Sequence, residues 1–300
     1  MKTYKSYKTY KSYKSYNKLI DDLEFKKYHG KHFNESWYKS SDGTIVDSSQ
    51  DGYHDNQVLF KFRKGVISKE LMDISIDSFL ELSKKKHPNR GIAGGIPDGE
   101  KNSRHLTKSG QSEGEYTASN ISGYYDRPLR EHRGILGKNK VCRTTAFTLN
   151  NKELWNKGLP FIERCSKLFK KYAPEHYRSQ KREWNLIKPE LKVPKTVFTT
   201  ITSNYNWRTA CHTDSGDFSK GLGNLIVVGK DFTGGYLGFP QFKILIKIEP
   251  GDFLLMDSHQ FHCNTKIHGN GYRLSFVMYI REDMKECKRK KIIKNNIYYI

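Results

Sequence analysis

After Pro194 the chain breaks into short runs rich in β-branched and aromatic residues, "TVFTTIT", "NLIVV", "FKILIKI", "DFLLM" and "RLSFVMYI", separated by glycine, proline and asparagine. Runs of this length between turn formers read as strands, and several in succession specify an antiparallel sandwich or barrel. In the last run, alternation puts Arg273, Ser275, Val277 and Tyr279 on one face and Leu274, Phe276, Met278 and Ile280 on the other. Upstream, Val58 to Phe62 reads as a strand, followed by a helix capped by Ser68 and running to about Lys86. The strongest helical stripe lies over 160–172, with Pro160 in its first turn and Phe161, Ile162, Cys165, Leu168, Phe169 and Tyr172 on one side. These helices are expected to buttress the sheet, giving an α+β fold.

The ends of the chain have a different texture. "KTYKSYKTYKSYKSY" repeats every three residues, which matches neither a helical nor a strand face, so residues 1–18 are expected to be a disordered basic Lys/Tyr tail. Lysine alternating with tyrosine also suits phosphates and stacked bases. Residues 284–300, containing "KRKK", read as a basic C-terminal tail, and as either a nuclear address or a phosphate contact. Between them, 19–116 reads as a helical and loop extension that packs on a core of about 117–283. Within it, 88–116 is rich in glycine without a Walker or dinucleotide-binding spacing, and reads as a long mobile loop.

Charge narrows the partner. There are 53 basic and 32 acidic residues, a net +21. Residues 1–18 contribute +6 and residues 284–300 contribute +5, leaving +10 in the middle. That field attracts a polyanion, so nucleic acid is the leading partner and a lysine-biased composition the bland alternative. No apolar run approaches the roughly 18 to 20 residues of a membrane helix, and "MKTYKSYKTY" lacks an apolar secretory segment. The expectation is an intracellular monomer without a membrane, nuclear in preference to cytoplasmic. The five widely spaced cysteines contain no Cys-x-x-Cys pair and are expected to be reduced thiols.

The chemistry concentrates in "CHTDSGDFSKGLG" and "GDFLLMDSHQFHCNT". Side chains at i and i+2 of an extended segment leave the same face, so His212 and Asp214 can meet one ion. His262 is the candidate third ligand, with His259 and His268 as rivals. Two histidines and one carboxylate are the facial triad of non-haem Fe(II) oxygenases, which leaves three coordination positions for a cosubstrate and O2. By itself the pattern is a modest signal, because the chain has eleven histidines. Cys211 and Cys263 adjoin the ligands and invite a zinc site, but neighbours on a strand face opposite ways, which excludes Cys211 from the ion that His212 binds. Arg273 and Ser275 open the face turned toward the metal and suit a charge-assisted clamp on a dicarboxylate such as 2-oxoglutarate. A surface ion pair is the plain reading of that arginine taken alone.

The segments "SNISGYYDR", "CRTTAFT", "FTTITSNYNWRTACHTDSGDFSKGLGNLIVV", "GGYLGFP", "GDFLLMDSHQFHCNT" and "RLSFVMYIR" resemble the TET and J-binding-protein family of Fe(II)- and 2-oxoglutarate-dependent nucleobase dioxygenases. They span about residues 117–282. The resemblance implies a double-stranded β-helix (jelly-roll) core, His212, Asp214 and His262 as iron ligands, and Arg273 as the cosubstrate anchor. It selects His262 over His259, because the family's distal histidine is followed by a small residue and asparagine, here Cys263 and Asn264. The chain lacks the cysteine-rich zinc region of TET members and the separate DNA-binding domain of J-binding proteins, so targeting is not inherited from either.

The implied reaction is oxidation of a pyrimidine 5-methyl group to hydroxymethyl, on 5-methylcytosine by preference or on thymine, with Fe(II), 2-oxoglutarate and O2. DNA is the expected polymer, with RNA as the alternative, its base flipped out or single-stranded. Asp217 is the candidate base reader, able to accept from the cytosine amine or from the thymine ring N–H; a turn cap is its structural alternative. Arg143 matches a family position near the pocket and is a candidate for cosubstrate or phosphate contact, or an ordinary strand arginine. Competing functions are a lysyl or prolyl hydroxylase of the same fold and a non-catalytic nucleic-acid-binding barrel. A zinc hydrolase is disfavoured, since no glutamate adjoins the ligands as a base.

Overall fold

The computed structural model describes residues 13–86, 91–95 and 117–300. Its largest element is an 11-stranded sheet, in the order Tyr13–Ser15, Gln50–His54, Gln57–Arg63, Phe253–Met256, Gly223–Lys230, Tyr272–Tyr279, Thr200–Tyr205, Ser119–Tyr125, Cys142–Thr144, Asn296–Tyr299 and Lys290–Ile293. A second sheet contains Cys263–Asn264, Leu237–Phe239, Ile244–Ile246 and Thr44–Val46. Pairing is antiparallel apart from Tyr13–Ser15 on Gln50–His54 and Ile244–Ile246 on Thr44–Val46. This is the α+β double-stranded β-helix.

The alternation of the central strands separates two cores. Leu225, Val227, Leu254 and Met256 turn toward the smaller sheet and pack with Leu237, Phe239, Ile244 and Ile246. Ile226, Val228, Phe253, Leu255, Leu274, Phe276 and Met278 turn the other way, onto Phe79, Phe161, Ile162, Cys165, Leu168 and Phe169 of the helices. The split of Tyr272–Tyr279 into two faces is the one the alternation predicts, and it leaves Arg273 and Ser275 on the side away from the helices.

Helix Lys69–Ser83 is capped by Ser68, whose Oγ accepts from Leu71 N–H. The second long helix is Lys152–Tyr172, so the expectation that Pro160 opens it is corrected: Pro160 lies inside. An interior proline removes one backbone hydrogen bond and costs about 3 kcal/mol, which the buried stripe from Trp155 to Phe169 offsets. Gly158 lets the two helices approach, since a Cβ there would stand 2.4 Å from the Phe79 ring. Among the described residues no helix is long and apolar enough to cross a membrane.

Residues 13–18 and 284–300 are more structured than their composition predicts. Residues 13–18 are not a free tail: Tyr13–Ser15 pairs in parallel with Asp51, Gly52 and Tyr53, and Tyr16 is buried against Phe60. Backbone pairing to a sheet edge needs no apolar periodicity, which is why the three-residue repeat concealed it. Residues 1–12 lie outside the described residues, as does most of the glycine-rich 88–116 segment. The 19–116 region is no mere packing extension, because Gln57–Arg63 pairs with Phe253–Met256 inside the large sheet. Nor is 284–300 a tail. Lys290–Ile293 and Asn296–Tyr299 form a hairpin through Lys294 and Asn295, both at positive φ as a two-residue turn of this kind requires, and Tyr298 and Tyr299 pair with Arg143 and Cys142.

The same juxtaposition corrects the cysteine reading. Cys142 and Cys287, 145 residues apart in sequence, form a disulfide, while Cys165, Cys211 and Cys263 are free and buried. Nothing in their spacing announced the pair.

Phe276 is fully buried, with ring centroids 5.3 Å from Phe79 and 5.0 Å from Phe161. Phe276→Ala is expected to lower stability by about 3–5 kcal/mol in urea unfolding; a loss under about 1 kcal/mol would mean that the helices do not rest on this strand.

Candidate metal and cosubstrate site

His212 and His262 face each other across a short antiparallel bridge, each N–H donating to the other's carbonyl at 3.0 Å. Asp214 is brought alongside by its own N–H, which donates to Ser258 O at 2.9 Å. His212 Nε2 then lies 3.7 Å from Asp214 Oδ1, and His262 Nε2 lies 3.6 Å from Asp214 Oδ2. One ligand atom from each of the three residues lies within 4.8 Å of the others. His212 Nδ1–H donates to Ala210 O at 2.7 Å and His262 Nδ1–H to Gln260 O at 2.9 Å. These bonds fix the tautomer and turn both Nε2 lone pairs toward the carboxylate, as metal-binding histidines require.

The rival histidines are elsewhere. His259 is engaged by the Asp257 carboxylate at 3.3 Å and the Asp217 carbonyl at 3.2 Å, and His268 is exposed on a two-residue strand. Cys211 and Cys263 point to the opposite side, into a cluster with Phe25, Phe33 and Tyr38.

Burial, reinforced by the neighbouring His262, pushes His212 down to about 4, so its imidazole is neutral at ordinary pH. Burial acts in the same direction on His262, but the Asp214 carboxylate outweighs it and raises that pKa. The set is two imidazoles and one carboxylate on one face, which fits Fe(II) and leaves the opposite positions open.

A cavity of about 480 Å³ opens on this face, lined by Ser275, Val277, Tyr279 and Arg281 from successive inward positions of one strand. Arg273 continues the series at its far end. Its side chain is 1 % exposed, and Nε and Nη2 have no hydrogen-bond partner among the described residues. Burial lowers its pKa to about 10, which leaves it charged at neutral pH. A buried guanidinium without an anion is costly. Gly235 makes room for it: φ there is +63°, and a Cβ would stand 2.6 Å from Arg273 Nε.

Arg281, which does line the cavity, is held by Asp126 through Nε–Oδ1 at 3.2 Å and Nη2–Oδ2 at 3.1 Å. Asp217 Oδ1 lies 3.6 Å from Arg281 Nη1. Burial, and then the nearby Asp214 charge, raise the Asp217 pKa, against the opposing effect of Arg281. Asp217 thus faces the cavity, not a helix end. Gly216 is needed because the Arg281 guanidinium occupies the space of its Cβ, at 2.2 Å. Arg281 and Asp126 were not singled out from sequence, although Arg281 continues the i+2 series from Arg273. Arg143 is not brought to the cavity: its guanidinium donates to the carbonyls of Arg127 and Thr144, on the strand beside the C-terminal hairpin.

The sequence model of the Tet_JBP family, described as the oxygenase domain of the 2OGFeDO superfamily, matches residues 120–282, more than half of the chain. The chain belongs to this family. Fe(II), 2-oxoglutarate and O2 are the metal and cosubstrates of a Tet_JBP domain. Thymine dioxygenase JBP1 of Crithidia fasciculata is 34% identical over 188 residues, covering 61% of this chain and 22% of that protein. The bifunctional helicase and thymine dioxygenase JBP2 of Trypanosoma brucei brucei is 34% identical over 207 residues, covering 65% and 18%. The chain thus spans about a fifth of the length of these relatives. Among solved structures, NgTET1 in complex with 5mC DNA superposes with a TM-score of 0.53 at 13% identity, covering 81% of this chain and 83% of that one, a likeness of fold.

Titration of the apoprotein with Fe(II) or Co(II) under anaerobic conditions is expected to show one tight site. His212→Ala and His262→Ala should each weaken it by on the order of 100-fold, while His259→Ala leaves it within a few-fold; a loss on His259→Ala with none on His262→Ala would move the third ligand to His259.

Proposed function

We propose that this Tet_JBP domain oxidises the 5-methyl group of a pyrimidine in DNA to hydroxymethyl, with His212, Asp214 and His262 holding Fe(II) and Arg273 anchoring 2-oxoglutarate. The observation that carries the reading is the buried Arg273, with two donors unpartnered among the described residues, on the same strand face as the cavity lining. A dicarboxylate that reached the metal with one end would answer those donors with the other. Ser275, 3 % exposed and on that face, adds a hydroxyl beside the same path. Bound Fe(II), with 2-oxoglutarate and O2, supplies oxidation of an unactivated C–H bond, the cosubstrate leaving as succinate and CO2.

The chain's own groups account for the rest. Both imidazoles are aimed by backbone carbonyls, and burial keeps that of His212 neutral, so the metal meets no competing rotamer. Asp217 and Arg281, both buried, set an acceptor beside a donor in the cavity. Against thymine they pair with the ring N–H and a neighbouring carbonyl; against 5-methylcytosine, with the exocyclic amine and the ring nitrogen. The pair reads both bases alike. Thymine is the first base to test because curated relatives are named for it, ahead of the 5-methylcytosine that the sequence favoured. Within a duplex the methyl lies in the stack, so the nucleotide is extruded or single-stranded when it reacts.

Incubation with thymine-only and 5-methylcytosine DNA, with and without 2-oxoglutarate, followed by nucleoside mass spectrometry, is expected to yield a hydroxymethyl base only with the cosubstrate. Succinate without any modified base on either DNA would remove the nucleobase assignment. Arg273→Ala is expected to raise the KM for 2-oxoglutarate by on the order of 100-fold or more with Fe(II) binding retained. Gly235→Ala, which crowds the same guanidinium, should give a smaller rise in the same direction; an unchanged KM in both variants would remove Arg273 from the cosubstrate site.

A further inference from the structure

The segment that carries Asp214 and Asp217 continues outward over helix Pro174–Leu186. Phe218 and Trp184 both pack against the cluster that contains Ile187, Leu191 and Ile280, and Phe218 N–H donates to Ile280 O at 3.1 Å. Gly221 lies so close to the helix that a Cβ would stand 2.5 Å from Gln180 Oε1. The segment from Asp217, which lines the cavity, to Gly221 thus forms a rim that Trp184 and its helix support from behind, and Trp184 Nε1–H donates to Phe198 O at 3.2 Å.

Two ammonium groups lie over this one indole, Lys181 Nζ at 3.5 Å and Lys192 Nζ at 4.2 Å from the ring centroid. That places them within about 8 Å of each other, where like charges repel appreciably unless an anion is present. Among the described residues neither forms an ion pair; Lys192 has only the Asn185 carbonyl, at 3.4 Å. Some lysines elsewhere are answered by carboxylates, as in Lys140 with Asp283, Lys157 with Asp77 and Lys243 with Asp42, and others, such as Lys171 and Lys188, lie over a ring without one among the described residues; none of them stands as close to its ring as Lys181 and Lys192 do. Burial lowers the pKa of both rim lysines, and Lys192 adds to the effect on Lys181. Lys220, exposed on the same rim segment, adds a third cation.

We infer that Lys181 and Lys192, held on the Trp184 platform, bind the phosphodiester backbone of DNA beside the nucleotide whose base enters the cavity. The inference rests on the proposed nucleobase function and gives it a docking direction: the strand crosses the rim at Trp184 and presents its base past Asp217. Such contacts set register and orientation and carry no sequence information.

The test uses the full chain loaded with Fe(II) and 2-oxoglutarate without oxygen, a fluorescent duplex and a NaCl series, read by anisotropy. Each phosphate contact contributes close to one unit to the slope of log K against log [salt], so Lys181→Ala with Lys192→Ala is expected to reduce it by about 2. Binding should weaken on the order of tenfold, equally for thymine-rich and thymine-free duplexes. The double arginine variant should keep the wild-type slope, and oxygen-dependent 2-oxoglutarate turnover without DNA should be unchanged in both. Lys157→Ala with Lys243→Ala removes the same charge from paired lysines and serves as the control. If the wild type binds with a salt-dependent slope and the rim variant falls no further than this control, the phosphate site is overturned and the DNA reading stands. If the wild type shows no salt-dependent DNA binding, the DNA reading fails and the site falls with it.

Discussion

The reciprocal pair of backbone hydrogen bonds between His212 and His262 is the contact on which the site depends. It is a bridge of one residue on each side, outside any strand. One partner precedes the Gly223–Lys230 strand of the large sheet; the other runs directly into Cys263–Asn264 of the smaller one. A single ladder step therefore joins the two sheets and sets both imidazoles on one side. The flanking Cys211 and Cys263 turn the other way into apolar packing, so the step is anchored from behind while its metal face stays open. The triad inherits its geometry from the sandwich, and little of it depends on side-chain freedom.

The cavity concentrates charge in a region that burial makes expensive. Arg273 and Arg281 belong to the same strand face, yet they are treated differently. Arg281 is gripped by Asp126, approached by Asp217 and covered by the Tyr125 ring at 5.3 Å. Burial alone would lower its pKa, but the Asp126 carboxylate reverses the sign and keeps the cation in place. Arg273 has no such partner among the described residues, and the cost of its burial is the physical sign of a ligand that arrives from outside. One arginine is balanced within the protein; the other has no internal anion among the described residues, as the proposed cosubstrate anchor requires.

Much of this was legible along the chain. The His-x-Asp pair, the distal histidine and the alternating strand from Arg273 depend on local spacing, and local spacing survives folding. The helices were visible through their apolar stripes, although the lower helix-forming tendency of Pro160 hid the start of the second one, where tertiary burial outweighed it. The ends were misread for a common reason. Sheet edges accept a strand through its backbone, so Tyr13–Ser15, at the end of the Lys/Tyr repeat, and the C-terminal hairpin joined the sheet without showing an apolar period. Arg143 was misplaced because a position on the short strand Cys142–Thr144, paired with the C-terminal hairpin, cannot be told from a pocket-lining one by its neighbours in sequence.

What the sequence determined by itself was the inventory and the local facing: two histidines and an aspartate able to point one way, an arginine and a serine sharing a strand face, and a chain basic throughout. What only the tertiary structure decided was which of those groups would be satisfied. The Cys142–Cys287 pair and the Asp126 grip on Arg281 join residues remote in sequence, and the burial of Arg273 without a partner among the described residues is set by the elements that close over it. Periodicity reports the direction in which a side chain leaves the backbone; its partner is set by the three-dimensional approach of other segments, which no local pattern encodes.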